Sequence, residues 1–279
     1  MAGISIMEGG TRTRGRQVTG TPDQPLVSIV TVVFNGAATL ERTLKSVREQ
    51  DHPHIEHIVV DGGSTDGTVD LLRAHDTDLA YWSSAPDKGI YDGMNKGLSL
   101  CRGEWVGLIN ADDWYEPGII SRMMHEAQGR DAVNILHGDI WIHYPNGTRR
   151  KKRARNSSFL LRYWEMVLNH PSFFVRNRYY ASHRFDPSFR VSGDHLWTLR
   201  AHLEDPAQFH YVPVPVANFS AGGASMSVPL GKVLREGARV SRAAGMGPGG
   251  VLMGHLVRTA LHVPQYLKLL ANQYLSSGK

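Results

Sequence analysis

The sequence predicts an α/β fold, in which a mostly parallel sheet is flanked by helices and followed by a C-terminal helical extension. Between residues 26 and 110, short runs of aliphatic residues lack polar alternation, which is typical of strands buried on both faces. Segments with apolar residues at helical spacing separate these runs, and this alternation indicates a parallel sheet. From Val251 to Leu275, apolar residues again recur at helical spacing.

The composition is that of a globular protein with one large domain or two small ones. The chain has 279 residues, of which 41% are hydrophobic and 20% charged, so collagen, coiled coil and wholesale disorder are disfavoured. The sequence shows neither a run of about 18 apolar residues nor the apolar core of a signal peptide. We therefore expect a cytoplasmic protein, with peripheral attachment to the inner face of the cell membrane left open. The net charge of +5 favours anionic partners.

The first elements follow from two changes of pattern. Residues 1–24 are rich in Gly, Thr and Arg and lack an apolar period, so we expect a flexible basic arm outside the fold. A buried strand is predicted over 26–34, where the residues read LVSIVTVVF. A helix follows, because apolar residues recur at helical spacing from Leu40 to Val47 before Pro53 stops the segment.

The alternation of strand and helix continues to residue 110. The predicted elements are strand 55–60, a helix capped by 64–66, strand 79–83, helix 89–100 and strand 105–110. Crossovers between parallel strands are right-handed, so the strand ends Asn35, Asp61 and Asn110 are expected along one edge of the sheet. Ligands of open α/β sheets bind at that edge.

The pattern changes after Pro117, which suits the first turn of a helix. The turn at 145–147, which reads Pro-Asn-Gly, favours an antiparallel hairpin between strand 135–144 and a basic run from Thr148. The remaining predicted elements are helix 159–167, strand 172–175, helix 194–203 and two amphipathic helices within 251–275, broken near Pro264.

Asp61 is the first candidate binding residue. It ends a buried strand and precedes Gly62 and Gly63, so a ligand can closely approach the backbone beside its carboxylate. An aspartate in this setting is equally typical of a turn or a helix cap.

The segment from Asn110 to Asp113 is the candidate metal site. It follows a strand and carries two carboxylates, of Asp112 and Asp113, on a short loop. Mg²⁺ and Mn²⁺ prefer oxygen ligands and are typically held by one or two carboxylates together with substrate phosphates. The alternative is that these aspartates cap the helix near Pro117.

Residues 87–97 form the candidate phosphate-binding segment. Polar residues and glycines accumulate where a helix begins, which offers a phosphate both backbone N–H groups and a cation. Lys88 is the expected cation. Asp87 and Asn95 are assigned with it to binding of the same phosphate-containing ligand. Lys96 is more typical of a solvated surface lysine.

Four segments together resemble the family 2 glycosyltransferases, which have the GT-A (Rossmann-like) fold. They read, in order, VSIVTVVFNGAATLERTLKSVREQ, HIVVDGGSTDGT, SAPDKGIYDGMNKGL and GEWVGLINADDWYEPG. The set is far more specific than any one of its members. The resemblance is to the bacterial branch that builds exopolysaccharides, lipopolysaccharides and glycolipids, and it implies a nucleotide-sugar donor, Mn²⁺ or Mg²⁺, and inversion at the anomeric carbon.

The resemblance also implies roles for individual residues. Val32 and Val33 would line the base pocket, and Asp61 would contact the base or the ribose. Lys88 would lie near the base or the phosphates, and Asp112 would hold the metal ion. Asn110 or Asp113 would assist it. The chain has Asn110 where many relatives begin an Asp-x-Asp motif, and Gly62 where many have a second aspartate.

The catalytic base is assigned to Asp194, in a segment that resembles the place of this base in the family. Inverting transfer needs a carboxylate within hydrogen-bond reach of the acceptor hydroxyl. His170 and Trp197 are assigned to acceptor binding through the same resemblance. The alternatives are that Asp194 only caps its helix and that His170 is structural.

The predicted function is the transfer of a sugar, as a hexosyltransferase, to a saccharide or lipid-linked acceptor. The predicted domains are arm 1–24, catalytic domain 25–225 (nucleotide-sugar half 25–115, acceptor half 116–225) and helical extension 226–279. The rivals are a sugar-phosphate nucleotidyltransferase and a non-catalytic basic binding protein. The loop after the first strand lacks the Gly-rich, basic character of the nucleotidyltransferases.

The basic run 149–155 has six Arg or Lys residues among its seven. It is compatible with an anionic membrane surface, with a polyprenyl-diphosphate acceptor, or with a charged edge strand that discourages pairing. We expect no nucleic acid partner, because aromatic residues are not interleaved with the charges. The C-terminal helices are compatible with binding to a membrane, packing on the catalytic domain, or a homodimer.

Overall fold

Within the described residues, 6–222 and 229–277, ten strands form one mixed sheet in the computed structural model of the chain. The strands are β1 (Met7–Gly9), β2 (Val27–Val33), β3 (Ile55–Asp61), β4 (Tyr81–Ser84), β5 (Trp105–Asn110), β6 (Trp114–Tyr115), β7 (Ile135–His143), β8 (Arg149–Lys152), β9 (Phe174–Arg176) and β10 (Phe209–Ser220). Their order is β1-β4-β3-β2-β5-β9-β7-β10-β6, and β8 pairs with β7. The strands β2 to β5, β7 and β10 run in one direction, so the mostly parallel sheet is confirmed.

Helices connect these strands and follow the last of them. They are α1 (Ala37–Arg48), α2 (Thr68–Ala74), α3 (Ile90–Leu100), α4 (Ile119–Ala127), α5 (Ser158–Tyr163), α6 (Asn177–Ser182), α7 (Gly193–Glu204), α8 (Leu230–Ala243) and α9 (Pro248–Ser277). None of the helices in the described part of the chain combines the length and hydropathy of a membrane span.

The central strand β2 is buried on both faces, as its continuous apolar run predicts. On one face, Val33 packs in a cluster with Leu40 and Leu44 of α1. On the other face, Val30 lies against α3, where a Cβ added to Gly97 would come within 2.3 Å of it. The glycine therefore lets helix and sheet approach closely.

The predicted alignment of strand ends is confirmed. In the parallel register, Val33 lies opposite Asp61 of β3, and Val32 lies opposite Asn110 of β5. The loops that follow these three strands therefore start side by side at the carboxyl edge of the sheet. The register places the chemistry-bearing residues of three distant segments within one site.

The prediction of a flexible arm over 1–24 is wrong for the part from Met7 to Arg14. Met7–Gly9 forms the edge strand β1, antiparallel to β4, and a short 3₁₀ turn over Thr11–Arg14 follows it. The guanidinium of Arg12 pairs with the buried carboxylate of Glu56. A three-residue strand and one long-range ion pair produce no apolar periodicity in the sequence. The sequence pattern therefore did not predict this ordered segment.

The residues group into two compact units. The sheet unit comprises Met1–Ala154, Asn169–Arg190 and Pro206–Ala221, and the helical unit comprises Arg155–Leu168, Val191–Asp205 and Gly222–Lys279. The predicted extension 226–279 is therefore not separate, because α8 and α9 pack with α5 and α7. Arg258 Nε of α9 donates to the carbonyl of Trp164, at 2.9 Å, and Arg200 Nη2 of α7 donates to that of Ala243, at 2.8 Å.

The predicted break near Pro264 is wrong, since α9 is one helix with Pro264 inside it. A proline removes one backbone hydrogen bond, and the helix continues through this loss. Leu252 and Leu256 of α9 are 59% and 56% exposed. The roles proposed for these helices, on a membrane or in a homodimer, stay predictions. Leu267, Leu270 and Tyr274, which belong to the predicted amphipathic segment 251–275, lie outside the residues whose side chains are described.

Candidate active site

The loops after β2 and β3 are joined at the carboxyl edge of the sheet. The backbone N–H of Asn35 donates to Ser64 Oγ at 2.7 Å, and the N–H of Thr65 donates to Asn35 Oδ1 at 2.9 Å. Asn35 has a φ of 50°, in the left-handed region that asparagine tolerates. Its side chain therefore fixes the turn that separates β2 from α1.

Asp61 shapes the second of these loops. Its carboxylate is buried, and Oδ2 accepts the N–H groups of Gly63 and Ser64, at 3.1 and 2.9 Å, and the hydroxyl of Ser84, at 2.6 Å. Oδ1 accepts the Ser64 hydroxyl. This is the geometry of the turn aspartate that the sequence left as an alternative. A direct contact between Asp61 and a nucleotide stays a prediction.

The loop Asn110–Asp113 is clamped from two other elements. Thr43 Oγ of α1 donates to the carbonyl of Asp113 at 2.6 Å. At the end of β10, the N–H of Ser220 donates to Asp113 Oδ1 at 3.0 Å, and its hydroxyl donates to the carbonyl of Asp112 at 2.6 Å. These contacts hold the backbone of the loop, and the carboxylate of Asp112 is half-buried.

Arg42 completes this clamp, and sequence reasoning missed it. Its Nη2 donates to the carbonyl of Asp112 at 2.8 Å and to Ser220 Oγ at 3.1 Å. Its guanidinium lies 3.6 Å from the ring centroid of Trp114. The contact joins residues 70 positions apart, so no local pattern in the sequence announces it.

The oxygen atoms of this loop fit a hard cation. Burial, followed by the neighbouring charge of Asp112, raises the pKa of Asp113 well above its ordinary value, and burial also raises the pKa of Asp112. A bound cation would offset the cost of these charges. Among the described residues, Asn110 Oδ1 and Asp113 Oδ2 are buried without a hydrogen-bond partner.

The protein supplies only part of a coordination shell. A search of the described residues finds no group of three or more His, Cys, Asp or Glu side chains that could hold a metal ion. One or two carboxylates with the remaining ligands from substrate phosphates is the arrangement that Mg²⁺ commonly has. The donor set of this loop is compatible with that arrangement.

Asp87 and Gly62 lie against each other beside this edge. A Cβ added to Gly62 would lie 2.9 Å from Asp87 Oδ2, and Asp87 Oδ1 accepts the N–H of Gly89 at 2.7 Å. A second aspartate at position 62 would bring two carboxylates into contact. A side chain at position 62 would therefore displace the Asp87 carboxylate from its present position.

Lys88 is exposed, and its backbone is fixed from both sides. Its N–H donates to Asp92 Oδ2 at 3.0 Å, and its carbonyl accepts a hydrogen bond from Arg190 Nη1. Gly89, which follows it, has a φ of 112°. Arg190 is 102 residues away, so sequence reasoning did not find it. The main chain at Lys88 is thus held while the ammonium group faces solvent.

Asn95, Val32 and Val33 each have contacts within the fold. Asn95 Nδ2 donates to the carbonyl of Phe185 at 2.8 Å, and its Oδ1 accepts the N–H of Phe185 at 3.0 Å. The amide ties α3 to that segment, and the structure gives no support for its contact with a donor. Val32 and Val33 are the last two residues of β2, and their side chains point to opposite faces of the strand. Their role in lining the base pocket stays a prediction. Val33 belongs to the core, and Val32 lies beside Gly93.

The predicted acceptor residues are mostly buried. His170 packs against the rings of Phe173 and Phe185, at 5.5 and 5.6 Å between centroids. This is the structural role that the sequence left as an alternative. Trp197 is also buried. Asp194 lies in the first turn of α7, in the helical unit, and is half-buried.

Asp194 has a buried histidine as its neighbour in sequence. Burial lowers the pKa of His195, and the Asp194 charge opposes this shift. The His195 ring lies 2.7 Å, through Nε2, from the carbonyl of Leu161. The role of Asp194 as catalytic base stays a prediction.

The sequence profile of Glycosyl transferase family 2 matches residues 28–189, which is more than half of the chain. The chain belongs to this family. The matched segment contains the clamped Asn110–Asp113 loop, Asp61 and the Asp87–Lys88 turn.

Relatives in sequence are glycosyltransferases of bacteria. An uncharacterized glycosyltransferase of Mycobacterium tuberculosis is 39% identical over 116 residues, which cover 41% of this chain and 44% of the relative. A PGL/p-HBAD biosynthesis glycosyltransferase of Mycobacterium bovis is 27% identical over 73% of this chain and 80% of its own length. A putative teichuronic acid biosynthesis glycosyltransferase of Bacillus subtilis is 33% identical over 48% of this chain and 59% of its own. The chain thus spans less than half the length of the first of these relatives.

Solved structures share the fold at low sequence identity. S. aureus TarS in complex with UDP-GlcNAc aligns with a TM-score of 0.59 and 18% identity, over 77% of this chain and 66% of the other. The mannosyltransferase of Pyrobaculum calidifontis, in complex with GDP-Man and Mn²⁺, aligns with a TM-score of 0.54 and 17% identity, over 95% of this chain and 86% of the other. The fold is that of the GT-A glycosyltransferases.

Proposed function

We propose that the chain is an inverting glycosyltransferase that transfers a hexose from a nucleotide-sugar donor to a saccharide or lipid-linked acceptor. The proposed setting is cell-surface polysaccharide or glycolipid biosynthesis, lipopolysaccharide included. The observation that carries the proposal is the Asn110–Asp113 loop, clamped at the carboxyl edge of the sheet by Arg42, Thr43 and Ser220. The related enzymes of teichuronic acid and PGL/p-HBAD biosynthesis support this class of product.

We infer that donor binding depends on Mn²⁺ or Mg²⁺ held by Asp112. The partnerless buried oxygens of Asn110 and Asp113 within the described structure and the half-buried Asp112 carboxylate support this inference. When bound, such an ion would neutralise charge on the departing diphosphate. The Mn²⁺ in the Pyrobaculum mannosyltransferase complex is consistent with it.

The residues around the loop orient the donor in this proposal. The exposed ammonium group of Lys88 would contact the phosphates as a point charge. Asp92 and Arg190 would position it, since they hold the main chain of Lys88. Arg42 would act as a positioning residue, since it holds the carbonyl of Asp112 and not the ligand. Asp87 would orient the turn that carries Lys88.

Asp194 is the proposed general base. It would accept the proton of the acceptor hydroxyl while this oxygen attacks the anomeric carbon. It lies in the first turn of α7, where the N-terminal end of the helix dipole favours a negatively charged side chain.

Thermal unfolding with a panel of UDP, GDP, dTDP and CMP sugars, each with and without Mn²⁺, tests the donor site. A ligand at about 100 times its Kd stabilises the folded state by about 2.7 kcal/mol, which shifts the melting temperature by several degrees. One nucleotide sugar whose shift requires Mn²⁺ supports the proposal. No shift in melting temperature with any nucleotide sugar would instead favour a non-catalytic basic binding protein.

Single-turnover transfer by the Asp194→Asn variant tests the proposed base. We expect donor binding to be unchanged and transfer to fall by at least ~10²-fold, the scale of general-base catalysis. Asp205→Asn, a carboxylate just beyond the other end of α7, is the control and should keep full activity. Transfer near the wild-type rate in Asp194→Asn would assign the base to another residue.

A further inference from the structure

A row of ring contacts leads away from the clamped loop across the sheet unit. The guanidinium of Arg42 covers Trp114, and the Trp114 ring lies 4.6 Å from the His143 ring at the end of β7. His143 Nε2 lies 2.7 Å from Asn218 Oδ1 of β10. The surface beside Asp112 is therefore continuous with the ends of β7 and β10.

The basic hairpin strand β8 joins this row on the same face. In the antiparallel register, Arg149 lies opposite His143, and Lys151 lies opposite Trp141. Residues opposite each other share a face of the sheet. The guanidinium of Arg149 lies 4.4 Å from the ring centroid of Trp141. We name the set Trp114, Trp141, His143 and Arg149 the tryptophan–arginine surface.

Lys151 is neutralised within the protein, whereas Arg149 extends the surface. The Lys151 ammonium group pairs at 3.0 Å with the buried carboxylate of Asp139, which also accepts the Tyr211 hydroxyl at 2.8 Å. Arg149 is exposed and stacked. Stacking uses the face of a guanidinium, so its in-plane N–H donors keep the fork geometry that matches a carboxylate or a phosphate.

The neighbouring Arg150 provides an internal contrast. It lies opposite Ile142, and successive side chains of a strand point to opposite faces. Ile142 packs against the hydrophobic core of the sheet unit. Two exposed arginines that are adjacent in sequence therefore differ in the surface that they serve.

We propose that the tryptophan–arginine surface binds the acceptor and selects an acidic saccharide. The sugar ring packs against the indole surface that the two guanidinium groups leave open, and its carboxylate or phosphate accepts hydrogen bonds from the Arg149 guanidinium. Indole rings suit the apolar faces of sugars, and the arginine beside them suits one anionic substituent, a carboxylate or a phosphate. The inference rests on the proposed function, because it names the acceptor class of that same site.

The test measures binding of matched acidic and neutral saccharides to the full chain by calorimetry. The probes are disaccharides ending in glucuronic acid or glucose, galacturonic acid or galactose, and glucose 6-phosphate or glucose. We expect the acidic member of at least one pair to bind at least about tenfold more tightly. Arg149→Gln should remove this difference, and the matched variant Arg150→Gln should keep it. Trp141→Ala should weaken the acidic and neutral members equally.

Each other outcome overturns the inference. Equal or undetectable binding of both members in every pair would show that the surface does not select an acidic saccharide, and so would equal effects of Arg149→Gln and Arg150→Gln. Tighter binding of farnesyl diphosphate than of any acidic saccharide, lost in Arg149→Gln, would assign the surface to a lipid diphosphate. The nucleotide-sugar panel is independent of these results, so a response there with no saccharide binding rejects this inference and leaves the proposed function standing.

Discussion

The two arginine–tryptophan pairs of the sheet unit have the same chemistry and different surroundings. The Arg42 guanidinium lies over the Trp114 ring, and its Nη2 donates hydrogen bonds to the Asp112 carbonyl and the Ser220 hydroxyl. Arg149 stacks on Trp141 at the exposed start of a hairpin strand. The first pair fixes a loop that supplies carboxylates, and the second presents a cation to solvent. The two arginines have the same residue type, and their hydrogen bonds within the protein distinguish them. These bonds make Arg42 a positioning residue, whereas Arg149 is the proposed saccharide-binding residue.

The largest expected effect is at the loop that Arg42 holds. Asp112→Asn keeps the size of the side chain and removes its charge, so we expect loss of Mn²⁺-dependent donor binding and a fall in transfer of at least about 10²-fold. Calorimetric titration with the donor, with and without Mn²⁺, measures the first effect. Asp70→Asn, an exposed carboxylate on α2, is the control. Unchanged metal-dependent affinity in Asp112→Asn would remove the metal site from this loop.

The same substitution at both pairs tests the comparison directly. Arg42→Lys loses the fork that reaches two acceptors, so we expect a loss of about 1 kcal/mol in stability and about tenfold weaker donor binding. Arg149→Lys keeps a charge at an exposed site, so stability and donor binding should stay within error of the wild type. Chemical denaturation and donor calorimetry measure both quantities. Equal losses in the two variants would break the distinction between positioning and binding arginines.

Ionic strength gives the smallest expected effect. The Debye length falls from about 10 Å at 0.1 M salt to about 3 Å at 1 M, so contacts at exposed Arg149 should weaken with added salt. Acidic saccharides should lose several-fold in affinity over this range, while their neutral partners change little. A salt response shared by neutral saccharides would contradict an ionic role for Arg149.

The sequence predicted the part of the site that lies on single strands. The runs before Asn35, Asp61 and Asn110 could become strands because they are aliphatic throughout, and right-handed crossovers leave one way to order their ends. Asn95 and His170 show the limit of this reasoning. Their residue types suit a ligand, yet backbone groups of Phe185 and aromatic rings engage them in the fold.

The residues that sequence reasoning missed act across long separations. Arg42 reaches Asp112, Arg190 reaches Lys88, and Arg12 reaches Glu56, and in each case a side chain far along the chain fixes a loop or a buried charge. Each of these contacts depends on how the tertiary structure packs, and none of them produces a periodic pattern in the sequence. For the same reason, the strand β1 and the grouping of α5 and α7 with α8 and α9 were not foreseen.

By itself, the sequence determined the class of fold, the alignment of three strand ends at one edge of the sheet, and the family. These follow from apolar periodicity, turn residues and the order of motifs, all of which can be read from the linear sequence. Only the tertiary structure decided which polar side chains already have hydrogen-bond partners within the protein. That decision separates Asp61 from Asp112, and Arg42 from Arg149, because the availability of a charged group depends on the partners that folding brings to it.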